Sequence, residues 1–157
     1  MNVDFKISDI LEGIICPGEI IKMYISPDEV YLHIMIKGVD KREYEVVSQS
    51  AWRIINREKN KTILGEYDRY LMQLEDINTL LDKMIIYNNS KDDHINSFKI
   101  SRIGDLLIYS NKIIFASFVS GCGDTINWEI KDVEESKSLF IMSSRVLYYE
   151  PEIAESV

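Results

Sequence analysis

The sequence predicts an α+β protein, mainly antiparallel β, built from two similar β-meander units with one central amphipathic helix. Three observations lead there. Period-two apolar stretches, bounded by turn residues, fill most of the chain. One stretch in the middle switches to helical spacing. Two tryptophans, Trp52 and Trp128, each lie 23 residues after the start of an acid-led apolar strand. The chain has 157 residues, the usual size of one domain, so residues 1–157 are read as a single domain with an internal duplication.

In chain order, residues 9–13 form a short helix or turn. Residues 20–25 are rich in β-branched side chains and stop at Ser26-Pro27-Asp28, which marks a strand. Residues 29–36 form a second strand, with Val30, Leu32, Ile34 and Ile36 on one face. A turn at 37–41 leads to a strand at 42–48, where Tyr44 and Val46 alternate with Glu43 and Glu45. Residues 51–56 are a fourth strand. Tyr67, Tyr70, Leu71, Leu74, Ile77 and Leu81 then fall on one helical stripe, which predicts a helix over about 66–82. Strands follow at 83–88, 96–101, 105–109, 112–119 and 125–130. The pair Ser110-Asn111 resembles a two-residue hairpin loop. Residues 138–149 read equally as two strands or as one broken helix.

The repeat sets Glu29-Val30-Tyr31-Leu32-His33 over Asp105-Leu106-Leu107-Ile108-Tyr109, and Ala51-Trp52-Arg53-Ile54 over Asn127-Trp128-Glu129-Ile130. Upstream, Leu11-Glu12-Gly13-Ile14-Ile15 echoes Leu81-Asp82-Lys83-Met84-Ile85. The units therefore span about 9–56 and 81–132, with the helix linking or covering them. A lone short meander exposes too much apolar surface, and two units sharing one core hide it.

Charge restricts function. There are 26 Asp+Glu against 18 Lys+Arg, a formal net charge of −8. That balance argues against a nucleic-acid binder, because phosphate backbones recruit Lys and Arg. No apolar stretch approaches the roughly 20 residues of a membrane span, and the N-terminus has no basic-then-apolar signal pattern. The two cysteines, Cys16 and Cys122, form no CxxC pair and are read as reduced, which suggests the cytoplasm.

Several strings are candidate sites. Gly121-Cys122-Gly123-Asp124 could expose a thiol, but a nucleophilic cysteine needs a nearby base, and His33 and His94 are both distant in sequence. The string reads instead as a glycine-rich turn. Asp92-Asp93-His94 lacks a second His or Cys at ligand spacing. The tryptophans read as core anchors. Nine tyrosines exceed what a core needs and suit a protein interface. Finally, Asp124, Glu129, Asp132, Glu134 and Glu135 crowd together, whereas Arg53, Arg57, Lys59 and Lys61 oppose only Glu58. The acidic run is the candidate contact surface for a basic partner.

With its size, acidity and two β units ending in Ala51-Trp52-Arg53-Ile54-Ile55 and Ile126-Asn127-Trp128-Glu129-Ile130, the chain resembles the immunity proteins encoded beside bacterial polymorphic or contact-dependent toxins. The resemblance covers about residues 9–132. It implies a cytoplasmic, non-enzymatic binding protein, without cofactor, whose partner is a cognate toxin domain; a homodimer is compatible with it. Alternatives are a ligand-sensing or oligomerising accessory domain, and an enzyme using Cys122 with His94 or His33.

Overall fold

The computed structural model describes residues 3–28, 31–89, 94–119, 126–143 and 146–149. Helix α1 (Val3–Ile15) leads into β1 (Glu19–Ile25), β2 (Leu32–Lys37), β3 (Glu43–Ser48), β4 (Trp52–Asn56) and β5 (Lys61–Gly65). The short α2 (Asp68–Leu71) and the longer α3 (Leu74–Asn89) follow. Then come β6 (Ile95–Ile100), β7 (Leu106–Ser110), β8 (Ile113–Ser117), β9 (Ile126–Asp132), β10 (Lys137–Ser143) and β11 (Val146–Tyr149). The fold is mainly antiparallel β with helices, as the periodicity predicts. Among the described residues, no helix is long and apolar enough to cross a membrane.

The strands form two sheets, one ordered β1-β2-β3-β9-β10-β11 and the other β5-β4-β8-β7-β6. Each sheet therefore takes three consecutive strands from one half of the chain, β1–β3 or β6–β8, and its remaining strands from the other. The predicted meanders 9–56 and 81–132 are not sheets in themselves, because β4 leaves the sheet of β1–β3 and β9 leaves the sheet of β6–β8. The exchange has a steric logic. Only three residues separate the Ser48 that ends β3 from Trp52, and Ser48 pairs with Trp128 while Trp52 pairs with Ser117. A connection that short, at a sandwich corner, steps the chain across to the facing sheet.

One apolar core lies between the sheets. Leu32, Ile34, Ile36, Val46, Trp128 and Ile130 come from the first; Trp52, Ile54, Phe98, Leu106, Ile108 and Phe115 come from the second. These are the alternate residues of each strand, as in β2, whose positions alternate between buried and partly exposed. Burying each such side chain contributes about 1.5–3 kcal/mol before chain entropy is counted. Trp128 is fully buried, and its indole Nε1 donates to the Gly104 carbonyl at 2.8 Å. Both tryptophans are thus core residues.

The helices pack crosswise. α1 lies against β6 and α3 against β1. Glu12 Oε1 accepts the Phe98 amide at 3.1 Å, and Ser8 Oγ accepts the Ile100 amide at 3.3 Å. In the same manner Asn78 Oδ1 accepts the Ile25 amide at 2.8 Å.

Several sequence expectations change. The helix expected over 66–82 is broken at Met72, whose φ of −125° and ψ of 154° are extended. Tyr67, Tyr70 and Leu71, expected on its buried stripe, are instead strongly exposed. The residues expected as a strand at 83–88 continue α3, because Ile77, Leu81 and Ile85 recur at i, i+4 on the buried face. The residues 9–13 belong to a longer helix, and 61–65, assigned to no element in the sequence, form β5. The ambiguous 138–149 resolves into the hairpin of β10 and β11.

Candidate functional site

Period two turns His33, Glu45, Glu129 and Lys131 away from the core, onto the outer face of the six-stranded sheet. Register brings them into one row. Tyr24 lies opposite His33, and Glu45 opposite Lys131. The Tyr24 and His33 rings stack with centroids 4.7 Å apart and planes 4° from parallel. His33 Nδ1 contacts Glu45 Oε1. Lys131 Nζ is 3.3 Å from Glu129 Oε1, and Ser138 Oγ donates to Glu129 Oε2 at 2.8 Å. Glu129 is only 7% exposed, so these partners replace the water it lost. The hydrogen bond with His33, the His33 charge and Lys131 together hold the Glu45 carboxyl below its ordinary pKa, against the opposing effect of burial.

The row ends at the turn between β9 and β10. Asp132 organises that turn: its Oδ1 accepts the amides of Glu134 and Glu135 at 3.0 and 3.2 Å, while Oδ2 accepts Arg42 Nη2 at 2.5 Å. Arg42 also lies 3.7 Å from Glu134 Oε2 and 3.4 Å from Glu135 Oε1. Lys137 Nζ is 3.0 Å from Glu135 Oε2. The Lys137 contact, with its charge and that of Arg42, lowers the Glu135 pKa. Arg42 is itself held by its backbone: its amide donates to Asp40 Oδ1, and the Tyr44 hydroxyl donates to Asp40 Oδ2. Between the row and the turn lies an open cavity of about 440 Å³, lined by Glu45, Glu129, Lys131, Asp132, Lys137 and Ser138 among others.

Of the five acids singled out in the sequence, Asp124 lies outside the described residues. The other four gather at one end of the six-stranded sheet, but in two roles. Glu129 and Asp132 are buried and bonded within the protein. The Glu134 and Glu135 side chains stand 60% and 50% exposed. The cluster holds Arg42, Lys131 and Lys137 against these four carboxylates, so it is far less negative than the run of acids suggested. Arg42 and the His33–Glu45 pair went unnoticed in the sequence. Arg42 reaches Asp132 across 90 positions, and only knowledge that β3 pairs with β9 would have joined them.

Of the thiol and metal candidates, Cys122, Asp92 and Asp93 lie outside the described residues, and His94 is exposed just before β6. Cys16 is partly buried; burial, and then the Glu12 charge, push its thiol up to about 12, which keeps it protonated and unreactive. The described polar groups can therefore hold and present charge, in a geometry fixed by backbone amides and a guanidinium. No family model matches the chain, and comparison with curated proteins and with solved structures finds no match either.

Proposed function

We propose that the protein is a non-enzymatic cytoplasmic binding protein, an immunity protein that docks on a cognate bacterial toxin domain and neutralises it. The observation that carries this reading is the β9–β10 turn. Asp132 ties down two of its amides, and Arg42 sits against all three carboxylates. Glu134 and Glu135 are thereby presented to solvent with their backbone already ordered. A partner bringing Arg or Lys would bind them without the entropy cost of fixing a loop. Calorimetry and co-purification with the product of the adjacent gene test this. Wild type binds and protects cells expressing that product, and the Glu134→Lys/Glu135→Lys variant binds at least tenfold more weakly. Absence of both binding and protection refutes it.

We further propose that the two halves arose by duplication, giving two similar units. Strand registers support this. Leu32 pairs with Ser48 as Leu106 pairs with Ser117. Ser48 faces Trp128 as Ser117 faces Trp52. Register shifts fall at Ile20/Lys22 and at Ile95/Ser97, and again at Ile54/Ile55 and at Ser138/Phe140. The hairpin turns correspond as well: Asn60 and Ser136 have φ of 52° and 53°, and Asn56 Oδ1 caps the Lys59 amide as Asp132 Oδ1 caps that of Glu135. These pairings set Leu32 over Leu106, two positions from the alignment read in the sequence, while Trp52 stays over Trp128. The basic segment at 53–61 and the acidic one at 129–137 then occupy equivalent hairpins that have diverged in charge.

A further inference from the structure

We propose that the chain self-associates through β5, forming a two-fold dimer in which two five-stranded sheets meet edge to edge. β5 ends its sheet. Of the other edge strands, β1 carries α3 and β6 carries α1, and β10, the counterpart of β5 in the six-stranded sheet, carries the four-residue edge strand β11. Among the described residues, the helix beside β5 is the four-residue α2.

Three observations identify the occupant. The first is the seat itself. β4–β5 and β9–β10 share four pairs and one shift, so β5 holds the place in its sheet that β10 holds beside β11, although β11 seats on Phe140–Ser143, the counterparts of residues 64–67, and β5 ends at Gly65. In the counterpart hairpin that outer side takes one more antiparallel strand. The second is exposed apolar surface. Ile63, Tyr67, Tyr70 and Leu71 are 42%, 73%, 70% and 83% exposed, and they are half of the large apolar side chains standing in solvent among the described residues. Their concentration in nine residues makes a patch rather than scatter. The Tyr67 and Tyr70 rings lie 6.3 Å apart within it.

The third is charge, which points to a second copy. Exposed Lys59 and Lys61 precede and begin the strand, and Glu66 and Asp68 follow it. An antiparallel mate related by a two-fold axis sets the cationic end of each strand beside the anionic end of the other. Such an isologous contact closes on itself. Asp68 Oδ2 already accepts the Gly65 amide at 2.7 Å, which blunts that end of the edge and opposes open-ended stacking. Pairing is then confined to the strand before Gly65, with the α2 side chains packing alongside.

Sedimentation equilibrium of the full chain at micromolar concentrations tests this. The expected result is a dimer that weakens with salt. Leu71→Asp and Ile63→Lys should each weaken association at least tenfold while leaving the thermal melt of the diluted monomer nearly unchanged. Lys61→Glu and Glu66→Lys should each weaken it, and the double exchange should restore it. A chain that stays monomeric overturns the proposal, as does a dimer indifferent to both Leu71→Asp and Lys61→Glu. Capture of a different protein by this patch on a monomeric chain overturns it too.

Discussion

Ser48 and Ser117 meet where the two sheets exchange strands, and they make the packing there measurable. Their hydroxyls are 2.7 Å apart, and the residues are 1% and 0% exposed. Replacing Ser117 by Ala leaves Ser48 Oγ with only the Ser50 carbonyl, at 3.4 Å. Replacing Ser48 by Ala leaves Ser117 Oγ with only Ser50 Oγ, also at 3.4 Å. Both contacts sit at the outer limit of a hydrogen bond, so each single variant strands a buried hydroxyl and loses about 1–2 kcal/mol. The double variant strands neither: two methyl groups face each other, and the expected total cost is about 0–1 kcal/mol. Non-additivity of about 1.5 kcal/mol or more should therefore appear in a double-mutant cycle measured by urea unfolding at constant m. If the two single costs simply add, to within about 0.5 kcal/mol, the hydroxyls do not depend on each other and the reasoning fails.

Two further outcomes follow from the same physics. Glu45 has a lowered pKa in the folded state, so its contribution is present above its ordinary value of 4.5 and is lost as pH falls through the lower folded value; Glu45→Gln should flatten the acid limb of a stability-versus-pH curve, and an unchanged limb would show that the His33 contact carries no such linkage. Gly104 has a φ of +97°, and a Cβ there would meet the Met142 thioether at 2.9 Å and Val119 Cγ2 at 3.0 Å; Gly104→Ala should cost about 2–4 kcal/mol and perturb Trp128 fluorescence, since the Trp128 indole bonds the Gly104 carbonyl.

Strands were legible wherever one face is buried and the other wet. β2 and β3 appear in the sequence as alternation because that alternation is the core. Helix ends were not legible. The apolar run Met84-Ile85-Ile86-Tyr87 has the length and composition of a buried strand, and periodicity cannot separate that from the last turns of a helix. Tyr67, Tyr70 and Leu71 fit the helical stripe numerically, yet Met72 leaves the helix and they stay in solvent. The acids show the same limit. Composition marks Glu129, Asp132, Glu134 and Glu135 alike as negative, and nothing local reveals that two are buried beside cations. For Asp132 the cation is Arg42, which arrives through long-range register, and Glu129 meets Lys131 of its own strand and Ser138 across the β9–β10 hairpin.

Interleaving of the halves also governs how the chain can reach this state as it is synthesised. Ser48 meets its hydroxyl partner 69 positions later, and Arg42 its carboxylate 90 positions later. The first five strands therefore emerge from the ribosome with β3 lacking β9 and β4 lacking β8. Neither sheet closes until the second half has been made. Loop-closure entropy must be met before most long-range contacts form, which makes folding slow and late. During that interval, the unfinished edge of one nascent chain can accept the complementary strands of another on the same polysome. Chaperone demand and chain-exchanged by-products should consequently rise with translation density rather than with total protein concentration.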